Sequence, residues 1–164
     1  MPVYRYEQFE SNIAYHRAQS KLTLSQFAQL ATNSLPQNTG KNHYPVAKFT
    51  LNSYGITSTF LLTEIDPIDN DLAYGLYDFG TGKPTFGYIS LSEIEMTTHI
   101  SKNTFASEKD FYATYPISVY SAAANLTGRI TEEKGLLDQL SKLQSPETDT
   151  MANPPKILTL KFLR

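Results

Sequence analysis

The chain has 164 residues, 14 basic and 16 acidic side chains, a formal net charge of −2 and no cysteine. A chain of this length fits one domain burying roughly 70% of its unfolded surface, so its core needs no covalent or metal staple. The missing cysteine excludes disulfides, thiolate nucleophiles, cysteine-ligated zinc and iron–sulfur clusters, and an aromatic content of 12% with little net charge argues for a folded chain.

In chain order, Tyr6, Phe9, Ile13 and His16 or Arg17 recur at helical spacing and predict an amphipathic helix over 7–19. Met1–Lys21 holds no apolar stretch of the signal-peptide kind, and no run reaches the roughly 18 apolar residues of a membrane span. No membrane association is therefore expected, and a reducing cytoplasm suits a cysteine-free chain. Thr23 with Gln26 three positions on forms a capping-box pattern. The helix it opens carries Leu24, Phe27, Ala28 and Ala31 on one face and stops before Pro36, in the polar stretch Gln37–His43.

The middle third reads as a β-meander. Val46–Leu51 is a short strand, and Ile56–Asp66 is a longer one rich in Thr, Phe, Leu and Ile. Asp66-Pro67-Ile68-Asp69-Asn70 has the residues of a turn, with Asp first and Pro second. Leu72, Tyr74 and Leu76 alternate with Ala73, Gly75 and Tyr77 in a third strand, Gly80–Lys83 turns the chain, and Phe86–Leu91 forms a fourth. Ser90 with Glu93 predicts a second capping box and a short helix near 91–98.

In the last third, Phe105–Ala124 is rich in aromatic and small residues and is interrupted by Pro116, which predicts short helices. Thr131 is the expected cap of a helix whose core face is Leu136, Leu137, Leu140 and Leu143. Residues 145–155 read as a mobile connector and Lys156–Leu163 as a final strand. The expected fold class is α+β: one domain over 1–164, an antiparallel β-meander of about four or five strands, with N-terminal and C-terminal helices packed mainly on one face.

Charge is unevenly spread. Residues 60–100 hold Glu64, Asp66, Asp69, Asp71, Asp78, Glu93 and Glu95 against Lys83 alone, while the flanking thirds are mildly basic.

The motifs of familiar chemistry fail on spacing. Gly80-Thr81-Gly82-Lys83 lacks the upstream glycine of a phosphate loop, where Tyr77 stands, and has Pro84 where Ser or Thr would reach magnesium. His16, His43 and His99 are far apart with no metal-ligand spacing. Asp66, Asp69 and Asp71 lack the order of a calcium loop, and a Pro-containing turn already accounts for them. Glu64 and Asp66 lie two apart on a strand, so they share a face, but at a strand end beside a turn, where a solvated position is expected rather than acid–base work. No nucleophile motif is present. No catalytic, cofactor-binding or metal-ligating residue is assigned, and no cofactor is expected. The basic residues form no stripe, so direct nucleic-acid binding is disfavoured.

Three blocks in order carry a resemblance: Phe60-Leu61-Leu62-Thr63-Glu64-Ile65-Asp66-Pro67, Ala73-Tyr74-Gly75-Leu76, and Gly87-Tyr88-Ile89-Ser90-Leu91-Ser92-Glu93-Ile94, preceded by Val46-Ala47-Lys48-Phe49. The chain resembles, over about residues 22–98, an uncharacterised bacterial family of the domain-of-unknown-function kind carried on plasmids, integrated elements and phages. Members often have Trp before the first block, where this chain has Gly55-Ile56-Thr57-Ser58-Thr59, and no counterpart is recognised from Phe105 onward. The resemblance supplies no activity and no catalytic residue. It implies cargo of a mobile element working inside a bacterial host cell, such as an inhibitor of a defence nuclease.

The expected function is therefore non-enzymatic binding of a protein with a basic surface. The expected partner-binding residues are Glu64, Asp66, Asp69, Asp71, Tyr74, Tyr77, Asp78, Tyr88, Glu93 and Glu95: carboxylates raise the on-rate toward basic partners, and tyrosines give contact area at low entropic cost. The alternative is a small enzyme or ligand-binding domain with an unrecognised pocket. Homodimerisation through sheet edges or the Leu136–Leu143 face stays open.

Overall fold

The structure, a computed structural model, describes residues 22–97 and 103–145. The helix expected over 7–19, the strand expected over 156–163, His16, His99 and all but the first residue of the 145–155 connector lie outside the described residues.

Helix α1 (Leu24–Asn33) starts where its capping box requires. The Thr23 hydroxyl accepts the amide of Gln26 (3.1 Å), and the Gln26 carboxamide accepts the amide of Thr23 (2.9 Å), so two of the orphan donors of the first turn are satisfied reciprocally. Phe27 and Leu30 are buried against the sheet. At its end, Asn33 donates to the Thr63 carbonyl (2.9 Å) and the hydroxyl of the C-cap Ser34 accepts the amide of Ile65 (2.9 Å). These bonds tie the helix to the middle of the sheet.

Strands β1 (Ala47–Ser53) and β2 (Ile56–Ile65) form a hairpin in which Ser53 faces Ile56. The two loop residues, Tyr54 and Gly55, both have positive φ (51° and 82°), the geometry that matches the twist of the flanking strands. Strand β3 (Leu72–Asp78) follows the Asp66 turn, in which Asp66 Oδ1 accepts the amides of Ile68 (2.8 Å) and Asp69 (2.7 Å). Strand β4 (Thr85–Ser90) completes the antiparallel meander where a strand over Phe86–Leu91 is expected. Helix α2 (Leu91–Thr97) opens with the Ser90 hydroxyl accepting the amide of Glu93 (3.1 Å).

The last third departs from expectation. Phe105 lies not in a helix but in strand β5 (Thr104–Ser107), antiparallel to the free edge of β1, so the sheet order is β4-β3-β2-β1-β5. Four residues carry too little periodicity to reveal a strand; the edge of β1 supplies its hydrogen bonds, and Phe49 supplies a ring 5.1 Å from Phe105. Helix α3 (Ile117–Thr127) follows Pro116. Helix α4 (Lys134–Gln144) is capped by Glu133 rather than Thr131: the Glu133 carboxylate accepts the amides of Gly135 (3.0 Å) and Leu136 (2.7 Å). Leu137 is buried, but Leu143 is 81% exposed and takes no part in the core.

The α+β class and the antiparallel five-stranded sheet stand, while the placement of the helices differs from expectation. They cover both faces. Phe49, Phe60, Leu62, Ala73 and Tyr77 pack with α1 and α2 on one side, and Leu61 and Leu76 pack with α3 and α4 on the other. The uninterrupted apolar run Phe60-Leu61-Leu62 carries this information, because a strand buried on both faces has no polar alternate.

Candidate binding surface on the outer strand

Among the described residues β4 is an outer strand, and its register with β3 pairs Tyr74 with Tyr88 and Leu76 with Phe86. Side chains alternate along a strand, so Tyr74, Phe86 and Tyr88 share the face of Leu76. Helices α3 and α4 cover Leu76, whereas Phe86 remains 39% and Tyr88 59% exposed. The three rings form a strip. Tyr74 and Phe86 stack with centroids 6.1 Å apart and planes at 13°, and Tyr74 meets Tyr88 at 5.1 Å and 58°.

The strip has carboxylates beside it. Partial desolvation and then the negative charges of Asp66 and Glu64 hold the Tyr88 hydroxyl above the usual phenol range.

The ten residues expected at a partner surface do not form one patch. Glu64 is only 7% exposed: it sits beneath the 38–43 loop and accepts from the Thr39 hydroxyl (2.8 Å) and the Gly40 amide (2.9 Å), with His43 Nε2 at 3.7 Å. Asp78 is 4% exposed and accepts the amides of Gly80 (2.8 Å) and Ile130 (2.9 Å), which anchors the loop after α3 to the end of β3. Tyr77 is interior; its hydroxyl donates to the Ala73 carbonyl, and burial first, then Tyr74, pushes its ionisation up. These three are corrections: none can touch a partner. A strand end offers solvent only where no loop folds over it, and here the 38–43 loop covers Glu64.

Asp71 is half-buried and works as a cap. It accepts the amide and hydroxyl of Ser92 (both 2.8 Å) and the hydroxyl of Ser90, fixing the start of α2. Glu93 is exposed and Glu95 half-buried on that helix. Asp66 and Asp69 remain in the turn, with Asp69 exposed. Asp78 stands at the other end of β3 from Asp71, about 23 Å away for seven residues of extended chain. What the structure brings together is Tyr74 and Tyr88 with Asp66, joined by Phe86. Sequence reasoning used Phe86 only as a strand residue; its spacing of two from Tyr88 across Gly87 was the signal that places both rings on one face.

Two other charged groupings are structural. Lys48 bridges Glu108 (2.8 Å) and Glu132, joining β1 to the segments after β5 and before α4. Tyr115 donates to Asp138, a bond that raises the tyrosine's pKa. Among the described residues no group of three or more His, Asp or Glu side chains is arranged to hold a metal ion, and no helix is long and apolar enough to cross a membrane.

The fold and the strip define a small α+β protein with a central antiparallel sheet, helices on both faces and an aromatic outer strand. The chain belongs to the family described as "Protein of unknown function (DUF2958)", whose model matches residues 21–131. The matched span takes in all five strands and α1 to α3, so the family's domain continues past the 22–98 region in which the resemblance was legible. No curated protein and no solved structure matches the chain.

Proposed function

We propose that this protein is a non-enzymatic binding module that captures a protein with a basic surface through Tyr74, Phe86 and Tyr88, with Asp66 and Asp69 at the rim. The observation that carries the reading is the 59% exposed Tyr88 packed against Tyr74 on an outer strand, beside carboxylates. Exposed aromatic rings that are pre-ordered by their neighbours lose little entropy on binding and are the residue types that anchor interfaces. Flanking carboxylates steer a cationic partner and keep the outer strand from pairing indiscriminately. The genomic habit of the resembling family supports a partner of one class: a host defence nuclease, whose basic nucleic-acid groove an acidic aromatic surface would block.

The test is quantitative capture of such a nuclease complex by the wild-type chain and by a Phe86→Ser/Tyr88→Ser variant. Both positions are exposed, so the variant keeps its far-ultraviolet circular dichroism and melting temperature. Capture falls at least about tenfold, the scale of losing an anchor. Equal capture by a folded variant overturns the reading.

A further inference from the structure

Strand β4 has one edge without a neighbouring strand among the described residues. One bond sets the phase of that edge: the Leu91 amide donates to the Asp71 carbonyl (2.8 Å), next to the Leu72–Ser90 pair. Bonded and non-bonded pairs alternate in an antiparallel ladder, so Ile89 and Gly87 bond across to β3. The backbone amides and carbonyls of Tyr88 and Phe86 therefore point to the open edge. A row of this kind is a template for a further strand. It belongs to the same two residues whose rings are exposed, with Asp66 and Glu64 close enough to act on Tyr88.

The chain itself supplies an occupant. The Gln144 side chain, at the end of α4, accepts the Ser118 hydroxyl (2.8 Å), and that hydroxyl accepts the Asn42 side-chain amide (2.8 Å). Gly40, in the same 38–43 loop as Asn42, donates to Glu64. Glu64 pairs with Tyr74 and Tyr74 with Tyr88, a step of two strand spacings or about 10 Å. The chain thus leaves α4 at the end of the sheet where Tyr88 stands, on the face that carries the rings. Residues 146–155 then span up to about 33 Å when extended, which is ample. They lead to Lys156-Ile157-Leu158-Thr159-Leu160-Lys161-Phe162-Leu163-Arg164, a stretch with three basic and no acidic side chains. Leu158, Leu160 and Phe162 are two apart and so share one face of an extended segment. Strand β5, the other outer strand, offers four residues, and the Glu108 that follows it is already paired with Lys48.

We propose that residues 156–163 add to the open edge of β4 as a further strand and cover Phe86 and Tyr88. The backbone groups of Tyr88 and Phe86 give the hydrogen bonds, the rings meet the apolar face of the segment, and the carboxylates beside the strip select its cations. The segment then competes with the basic partner for the strip, a consequence that rests on the binding function proposed for it.

The experiment is amide hydrogen exchange of the full chain, followed by nuclear magnetic resonance with no partner present, in wild type and in Leu160→Pro. Proline removes a ladder donor and disfavours pairing of the segment. The amides of Phe86 and Tyr88 are expected to exchange about tenfold or more faster in the variant, while those of Leu61 and Leu62 keep their rates. The same rates are expected after tenfold dilution of the protein. Unchanged exchange at Phe86 and Tyr88 overturns the proposal, as does acceleration at Thr104–Ser107 in their place. So does equal acceleration at Leu61 and Leu62, which would make the segment part of the core. Protection that falls on dilution also overturns it, because a second copy would then hold the edge. A segment that slows exchange tenfold leaves about a tenth of the strip free, so Leu160→Pro captures the basic partner about tenfold more tightly. Faster exchange with unchanged capture would sink the strip as the partner site and leave the added strand standing, so the two failures are distinguishable.

Discussion

A Cβ on Gly75 would stand 2.0 Å from the carbonyl oxygen of Leu61. Gly75 is paired with Leu62, beside the irregularity in β2 between Leu62 and Glu64. Only a residue with no side chain fits there. Gly75→Ala is expected to destabilise the fold by about 2–3 kcal/mol, because strand backbone rather than a flexible side chain must move. Gly87, its neighbour across β3 and β4, has only the Tyr77 ring at 3.9 Å, an ordinary contact. Gly87→Ala is therefore expected to change stability by less than about 1 kcal/mol. Urea titrations of the two variants check the contrast, and equal losses would contradict the close approach.

Asp78 and Asp69 come from the same acidic stretch and have opposite roles. Asp78→Ala removes a buried carboxylate and takes the acceptor from the amides of Gly80 and Ile130 in a partly buried setting, with an expected cost of about 1–3 kcal/mol. Asp69→Ala loses one exposed turn bond to the Asp71 amide (3.1 Å), a cost under about 1 kcal/mol. Thermal unfolding of both variants in one buffer measures the difference, and a solubilising role for both residues would leave both unchanged.

Lys48 supplies a pH dependence. Burial lowers its pKa, but the bonds and charges of Glu108 and Glu132 outweigh burial and leave it above 10.5 in the folded chain. A cation held above its unfolded value contributes stability that is complete below pH 10.5 and fades as the pH rises past it. Both carboxylates are more than two-fifths exposed, so the contribution is small, under about 1 kcal/mol, and shrinks with salt. The urea midpoint of Lys48→Met is expected to lie below wild type at neutral pH and to converge with it at alkaline pH. A gap that persists unchanged across that range would remove the ion pair as its cause.

Local chemistry made much of this fold readable in the chain. The Thr23–Gln26 box, the Asp66–Asn70 turn, the Gly80–Lys83 turn and the alternation in β3 each depend on residues a few positions apart, so each is written in a short window. What depends on distant contacts was not. The strand at Phe105 exists because β1 offers an edge, and the two-sided cover exists because α3 and α4 return over Leu61 and Leu76. The acidic stretch shows the division most plainly: its charge is countable in the sequence, but burial of Glu64 and Asp78 and the use of Asp71 as a cap follow from which loops and amides fold against them. The sequence alone determined the antiparallel meander and an aromatic, acidic middle third. Only the tertiary structure decided which of those groups face solvent, because exposure depends on what packs over a side chain and not on the side chain itself.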